Sequence, residues 1–293
     1  MMDFDNSNNI RTLSGTSRLA GVMGWPVAHS KSPRLQGYWL AKYGVDGSYM
    51  PLPVAPENFV SAVKSLRDLD FAGVNVTIPH KQAVFDVCDQ LSDRAQHIGA
   101  VNTVTFTDDG KILGDNTDGF GFIENLRQNA PEIDFTCGPA VILGAGGACR
   151  AIIVSLLEEN CPEIRLLNRT KARATALAGE INDPRIRVID WEQANHCLDD
   201  AALLVNTTSL GMVGQPPLEI DLAGLAAQAI VTDIVYAPLK TGLLTQAEAR
   251  GNRIVDGLGM LLHQARPGFH RWFGIDPAVS AELRDFVLGV SQE

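Results

Sequence analysis

Two charged residues of the chain, Lys81 and Asp118, have the types and settings that proton transfer requires. Asn75 and Thr77 alternate along an apolar strand, and Lys81 follows in the first turn of a predicted helix that begins at Pro79. The helix dipole disfavours a cation there by roughly 0.3–1 kcal/mol, which suggests a use for the ammonium group. Asp118 follows the end of another strand, where α/β sheets place their ligands. The alternative is a solvent-facing lysine and a carboxylate that only stabilises its own helix.

Together the two charges would suit the reduction of a ketone. At about 4 Å and an effective dielectric near 20, the Coulomb energy of the pair would reach ~4 kcal/mol, well above the dipole term. Asp118 would then keep Lys81 protonated and oriented. As hydride arrives, negative charge develops on the ketone oxygen, and an oriented ammonium stabilises that charge and supplies the proton.

Two hydroxyls, at Ser30 and Ser32, have a spacing that directs both to the same side of an extended loop. Pro33 suits the first position of a helix, so the pair would lie beside a helix N-terminus. With the charges of Lys31 and Arg34 nearby, this arrangement would hold a carboxylate. The alternative is that Ser32 only caps the helix and that Ser30 is solvated.

A glycine-rich turn follows the apolar strand that ends at Leu143. Three glycines stand within four residues, at Gly144, Gly146 and Gly147, and a helical segment follows. Such a turn brings bare backbone N–H groups and a helix N-terminus up to a phosphate. The third glycine of the usual dinucleotide fingerprint is Cys149 here. The alternative is a turn between strand and helix in an enzyme that binds no nucleotide.

The next strand ends in a polar and basic segment, which indicates the type of dinucleotide. An NAD site would place Asp or Glu there for the ribose 2′-hydroxyl. This chain has instead an amide, a hydroxyl and three cations, at Asn168, Arg169, Thr170, Lys171 and Arg173. That set favours the 2′-phosphate of NADP.

Composition bounds the class of protein. The 293 residues exceed what one hydrophobic core commonly serves, which predicts two domains, and the net charge of −10 argues against a nucleic-acid partner. The five cysteines are scattered, without metal-ligand spacing, as is typical of reduced thiols in a cytoplasmic protein. No apolar run approaches membrane-spanning length. Residues 1–17 are predicted to form a loosely ordered tail.

Strands alternate with helices from Arg18 onward, which predicts an α/β fold with a mostly parallel sheet. The turn Asp108-Asp109-Gly110 predicts one antiparallel hairpin within it. The C-terminal helices are expected to return to the first domain. The predicted division is a substrate-binding catalytic domain over 18–130, completed by 258–293, and a Rossmann-type NADP-binding domain over 131–257.

Seven segments, in order and across nearly the whole chain, resemble the shikimate dehydrogenase family. They are GWPVAHSKSP (24–33), NVTIPHK (75–81), GAVNTV (99–104), GDNTDG (114–119), GAGGACR (144–150), NRTKAR (168–173) and DGLGMLLHQ (256–264). Seven matching segments are far more specific than any one of them.

The resemblance implies roles for individual residues. Lys81 and Asp118 would be the catalytic pair, and Ser30 and Ser32 would bind the substrate carboxylate. The contacts to the ring hydroxyls or carbonyl would come from Asn75, Thr77, Asn102, Tyr236 and Gln264. The contacts to NADP would come from Gly144, Ala145, Gly146, Gly147, Ala148, Asn168, Arg169, Thr170, Arg173, Ile234 and Gly257, with Asp93 as a peripheral contact.

The predicted function is the reversible, NADP-dependent reduction of 3-dehydroshikimate to shikimate, on the pathway to aromatic amino acids. Two alternatives stay open: a quinate/shikimate dehydrogenase of mixed specificity, and a non-catalytic NADP-binding sensor with the same fold. The serine pair favours shikimate, because relatives that prefer quinate often have Thr in that pair. A homodimer is the predicted assembly, with no membrane partner and no metal.

Overall fold

The computed structural model describes residues 12–194 and 196–290. The chain divides into two compact units. The first holds the described residues up to Ala95, Gly99–Asp115 and the described residues from Ala265 onward, and the second holds Gln96–Ile98 and Asn116–Gln264. No helix in the described parts of the chain is both long and apolar enough to cross a membrane.

The described residues form helices that separate most of the strands, as the alternating pattern predicts. The helices α1 to α9 are Ser32–Lys42, Phe59–Asp68, Asp93–Ile98, Asp118–Asn129, Gly147–Glu158, Lys171–Ile181, Gly242–Ala249, Leu258–Phe273 and Ala281–Leu288.

The first unit contains a six-stranded, mixed sheet. Its strands β1 to β6 are Arg18–Gly24, Gly47–Pro53, Phe71–Val76, Gln90–Leu91, Thr103–Phe106 and Ile112–Asp115, in the order β2-β1-β3-β5-β6-β4. β1 pairs in parallel with β2 and β3, whereas β5 is antiparallel to β3 and β6. The predicted hairpin is therefore present as β5 and β6. The carboxyl ends of β1 and β3 lie side by side, so the residues that follow them meet at one edge of the sheet.

The segment after β3 is not the helix that the sequence predicts from Pro79 to Gln90. It forms turns and one short 3-10 helix, Phe85–Val87. In an α-helix the Lys81 carbonyl would accept from Phe85, but it accepts instead from the Val101 N–H at 3.0 Å. A bond to the segment before β5 thus replaces a helical one. Lys81 does not lie at a helix N-terminus, and the argument from the helix dipole is wrong.

The second unit contains a six-stranded, fully parallel sheet. Its strands β7 to β12 are Ala140–Leu143, Ile164–Leu167, Ile186–Ile189, Leu203–Asn206, Ile230–Asp233 and Arg253–Val255, in the order β12-β11-β10-β7-β8-β9. The strand order reverses between β7 and β10. Parallel sheets of this kind bind ligands in the crevice at the carboxyl ends of the strands where the order reverses. The glycine-rich turn leaves β7 at that point.

The division between the units differs from the predicted boundary near residue 130. The apolar face of α4, formed by Phe122, Ile123 and Leu126, is buried in the same core as Ile152 and Leu156 of α5. Because a helix packs where its apolar face is covered, α4 groups with the second unit. The division also falls within α8, after Gln264.

The first described residues are held in place by Asp46. The hydroxyls of Ser14 and Ser17 donate to the Asp46 carboxylate, and the Ser14 N–H lies 3.4 Å from its Oδ1. These bonds connect Ser14 and Ser17 to the residue just before β2, and the loose order of the tail stays a prediction. Residues 1–11 of the predicted tail lie outside the described residues.

Candidate active site

The serine pair lies at the start of α1, just after β1. The N-cap of α1 is Lys31, and α1 begins at Ser32 itself. The Ser32 N–H lies 3.3 Å from Ser30 Oγ. Ser32 is therefore the first residue of α1 and not its N-cap. Ser32 is buried, and its role in carboxylate binding stays a prediction.

Three predicted substrate contacts come together at the end of β3. Asn75 Nδ2 lies 3.2 Å from the Asn102 carbonyl, and the Val76 N–H donates to the same carbonyl at 2.8 Å. Thr77, the first residue after β3, is half-buried, and its N–H donates to the Met23 carbonyl at 2.9 Å. The polar side chains thus lie at the edge of the sheet where β1 and β3 end.

Lys81 is fixed to the same edge through its backbone. Its carbonyl accepts from the N–H of Val101, the residue before Asn102. Its side chain is half-buried. In place of a helix N-terminus, a turn anchored to the segment before β5 holds the backbone of Lys81.

Asp118 is the first residue of α4 and is only 9 % exposed. Its N–H donates to Asn116 Oδ1 at 3.1 Å, so the turn that precedes the helix is closed by its own side chain. Asp118 belongs to the second unit and Lys81 to the first. The pairing of the two charges stays a prediction.

Three further predicted contacts lie in other parts of the chain. Tyr236 follows β11, and burial raises the pKa of its phenol, which is therefore a protonated donor at neutral pH. Gln264 lies on α8 in the second unit, where its Nε2 donates to the Leu261 carbonyl at 3.0 Å. Asp93 is an exposed residue at the start of α3. Their roles in binding stay predictions.

The glycine-rich turn contains glycines of two kinds. Gly144 has a φ of +113°, and a Cβ there would lie 2.6 Å from Thr207 Oγ1, so this position requires glycine for the fold. Gly146, by contrast, has an ordinary φ of −97°, and a Cβ there would meet nothing within 4 Å. Gly146 and Gly147 are exposed at the N-terminus of α5. The open space beside this helix end fits a pyrophosphate group.

Cys149 occupies the position of the third glycine without blocking the turn. It is fully buried, and its Sγ donates to the Gly144 carbonyl at 3.0 Å. Burial raises the pKa of the Cys149 thiol to about 12, so it is a neutral packing group. The side chain points into the protein and away from the exposed backbone of Gly146.

The predicted 2′-phosphate site lies in the turn between β8 and α6. The amide of Asn168 donates to the Thr170 carbonyl at 2.8 Å and closes the turn, and Thr170 is the N-cap of α6. Arg169 and Arg173 are exposed, and neither has an ion-pair partner among the described residues. Lys171 instead pairs with Asp190 at 2.8 Å. Two arginines beside a helix N-terminus are therefore available for an anion.

The loop after β11 is predicted to line the nicotinamide pocket. The Ile234 N–H donates to the Asn206 carbonyl at 3.1 Å, which continues the pairing of β10 with β11. Gly257, just before α8, lies against the Ile234 carbonyl so closely that a Cβ would not fit. Ile234 and Gly257 are thus adjacent at the carboxyl end of the sheet.

Two family models match this chain, one in each half. A model of the shikimate dehydrogenase substrate-binding domain matches residues 22–104, and a model of shikimate/quinate 5-dehydrogenase matches residues 126–213. A curated relative from Rhodospirillum rubrum, named shikimate dehydrogenase (NADP(+)), is 58% identical over 280 residues, which cover 94% of this chain and 99% of the relative. The chain belongs to the shikimate dehydrogenase family.

Solved structures of family members agree with the fold. Shikimate 5-dehydrogenase from Thermus thermophilus, in complex with NADP(H) and shikimate, is 36% identical with a TM-score of 0.82, over 94% of this chain and 100% of the other. Quinate dehydrogenase from Corynebacterium glutamicum, in complex with NAD, is 29% identical with a TM-score of 0.86, over 93% and 99%. The predicted family and the α/β fold with a Rossmann-type domain are confirmed.

In this shikimate dehydrogenase family member, a buried carboxylate that no sequence pattern above predicts, Asp233, lies at the end of β11. Asp233 Oδ1 accepts from the Asn206 amide and from the Val235 N–H, each at 3.0 Å, and Oδ2 accepts from the Thr241 hydroxyl at 2.8 Å. Burial raises the pKa of Asp233, and these three bonds oppose that rise. Asp233 therefore fixes the loop that carries Ile234. An acidic residue at the end of an apolar strand is the sequence pattern that could have indicated this carboxylate.

The Gly146→Ala variant tests whether the open space at the turn is used by the cofactor. The variant should fold as stably as the parent, because a Cβ meets no atom. Its KM for NADP should rise about tenfold or more, since the added methyl group occupies the space that a pyrophosphate needs. Steady-state kinetics and thermal unfolding measure the two quantities. Gly179→Ala, at an equally open site within α6, is the control; equal KM values for the two variants would contradict the assignment.

Proposed function

We propose that this chain catalyses the reversible reduction of 3-dehydroshikimate to shikimate with NADP, and that Lys81 and Asp118 carry out the proton transfer. The family is named for the reverse direction, the oxidation of a secondary alcohol of shikimate. Its curated member from Rhodospirillum rubrum is named for the cofactor NADP(+). The observation that carries the proposal is the group of polar side chains at the ends of β1 and β3, which lies within the matched substrate-binding domain.

The predicted substrate-binding residues form two sets, one for the carboxylate of the substrate and one for its ring hydroxyls. Ser30 and Ser32 offer two hydroxyls at the N-terminus of an 11-residue helix, a setting that favours a carboxylate. Asn75 and Asn102 offer amides fixed by hydrogen bonds, which suit ring hydroxyls. Buried and preorganised polar groups of this kind discriminate strongly, because a ligand that lacks the matching group leaves them unpaired.

NADP(H), when bound, supplies or accepts the hydride. The open space beside Gly146 fits its pyrophosphate. The exposed Arg169 and Arg173, which form no ion pair with any described residue, fit its 2′-phosphate. The side chains of the protein carry out the proton transfer. The ammonium of Lys81 donates a proton to the carbonyl oxygen during reduction, and its neutral amine form accepts a proton from the alcohol during oxidation. Asp118 favours the charged form of Lys81.

Initial rates with four substrate and cofactor combinations test the proposed function. Shikimate and quinate are each assayed with NADP and with NAD. We expect the highest kcat/KM with shikimate and NADP. Comparable rates with quinate would instead show an enzyme of mixed specificity, and NADP binding without turnover of either acid would show a sensor. The last outcome would refute the proposed reaction.

We further propose that the enzyme is a cytoplasmic homodimer, as the sequence predicts. Scattered free cysteines, three of which are buried, support a reducing compartment. Light scattering of the purified protein measures the assembly directly.

A further inference from the structure

The hydroxyl of Tyr49 lies in the substrate site without a role in the mechanism described above. Tyr49 lies on β2 and is only 7 % exposed, and its hydroxyl is 2.7 Å from Asn75 Oδ1. Burial raises the pKa of Tyr49 well above its usual range, and the Ser32 hydroxyl is near enough to oppose that rise. The phenol therefore stays protonated and lies between two predicted substrate contacts.

The orientation of the Asn75 amide follows from its partners. Of the two terminal atoms of the amide, the one that does not face Tyr49 lies 3.2 Å from the Asn102 carbonyl oxygen and 3.1 Å from Thr103 Oγ1. A backbone carbonyl only accepts, so the amide nitrogen must face it. Oδ1 then faces Tyr49, and the phenol must donate. Thr103 in turn donates to Asn102 Oδ1 at 2.9 Å, which extends the chain of bonds.

This orientation limits what Asn75 can offer to a ligand. Both protons of Nδ2 are used, one by the Asn102 carbonyl and one by Thr103 Oγ1. Tyr49 takes one acceptor site of Oδ1, so a single acceptor site is left. A group that binds there must donate a hydrogen bond. A ring hydroxyl can donate, whereas a ketone or a carboxylate cannot.

We propose that Tyr49 is a positioning residue that, together with the partners of Nδ2, holds the hydrogen-bond polarity of the substrate site. By donating to Oδ1, Tyr49 keeps Asn75 oriented as a hydrogen-bond acceptor. A hydroxyl of the substrate can donate to Asn75 in this orientation, whereas a carbonyl group cannot. The inference rests on the proposed function, since it takes Asn75 as a substrate contact. Without the phenol proton, Oδ1 loses a hydrogen bond in a buried site, and only the bonds of Nδ2 then hold the amide in this orientation.

The Tyr49→Phe variant tests this role, with Tyr43→Phe as the matched control. The Tyr43 hydroxyl also makes a hydrogen bond, accepting from the Ala278 N–H at 3.0 Å, but it contacts none of the substrate residues. Tyr49→Phe should raise the KM for shikimate about tenfold and leave the KM for NADP within about twofold. Tyr43→Phe should change neither. An unchanged KM for shikimate in folded Tyr49→Phe would overturn the inference.

A double-mutant cycle with Asn75→Ala separates positioning from general stability. If the phenol acts through Asn75, then Tyr49→Phe changes the KM for shikimate by less than about twofold in the Asn75→Ala background. Additive effects would overturn the inference. If Tyr49→Phe does not fold, Thr103→Val tests the other end of the same chain of bonds, and an unchanged KM for shikimate there would refute it.

The parent enzyme separates this inference from the proposed function. Parent protein that binds NADP but turns over no shikimate refutes the proposed function. Parent protein that turns over shikimate, together with a Tyr49→Phe variant of equal KM, refutes only the role of Tyr49.

Discussion

We expect the Lys81→Met variant to lose about 10²- to 10⁴-fold in kcat for shikimate oxidation, because general acid–base catalysis by a positioned side chain contributes a factor of that size. Methionine keeps the length and most of the volume of the lysine but carries no exchangeable proton. The ammonium acts chiefly on the reacting oxygen, so the KM for shikimate should change much less than kcat. Steady-state kinetics in both directions measure the two constants.

Lys64→Met is the control for the loss of a lysine. Lys64 is exposed on α2 in the same unit as Lys81, and its replacement should leave kcat unchanged. Circular dichroism and thermal unfolding establish that each variant is folded. Oxidation of shikimate by folded Lys81→Met at the parental rate would show that another group moves the proton.

The second large effect concerns the choice between NADP and NAD. Arg169→Ala should raise the KM for NADP by roughly 10- to 100-fold, because a hydrogen bond to a charged group contributes about 1.5–3 kcal/mol. The KM for NAD should not rise, since NAD has no 2′-phosphate. The ratio of kcat/KM for the two cofactors is therefore the quantity to measure.

Arg187→Ala is the matched control for this change. Arg187 lies on β9 in the same unit and is 70% exposed at its side chain, but it faces Glu163 and is not part of the turn after β8. Its loss should leave the cofactor preference unchanged. An equal rise of both KM values in Arg169→Ala would mean that Arg169 supports the fold of the turn and does not recognise the phosphate.

Much of the second unit could be predicted from the sequence. An apolar run, a glycine-rich turn and a helix follow one another without interruption, and each depends on residues only a few positions apart. The basic segment after β8 is equally local. The curated and structural comparisons confirm the family and fold that these segments indicated.

The first unit shows where local patterns fail. Residues 79–90 have the composition of a helix, yet the Lys81 carbonyl bonds to Val101, and the His80 ring stacks on Phe59 at 4.3 Å. Ser32 has the setting of an N-cap, yet the helix begins at Ser32 itself. In residues 79–90, contacts with distant parts of the chain decide the geometry. Propensity is a weak prior beside such contacts.

The sequence by itself determined the family, the two kinds of sheet and the residue types available for proton transfer and phosphate binding. Only the tertiary structure decided which polar atoms are already used and which are left for a ligand. The Tyr49 phenol and the Asn75 amide are 26 residues apart, and Asn206 and Asp233 are 27 apart. Crossover connections between parallel strands bring such residues within reach of each other, across β1 for the first pair and on adjacent strands for the second. No spacing within one segment encodes a hydrogen bond of that kind, and so its polarity can be read only from the folded chain.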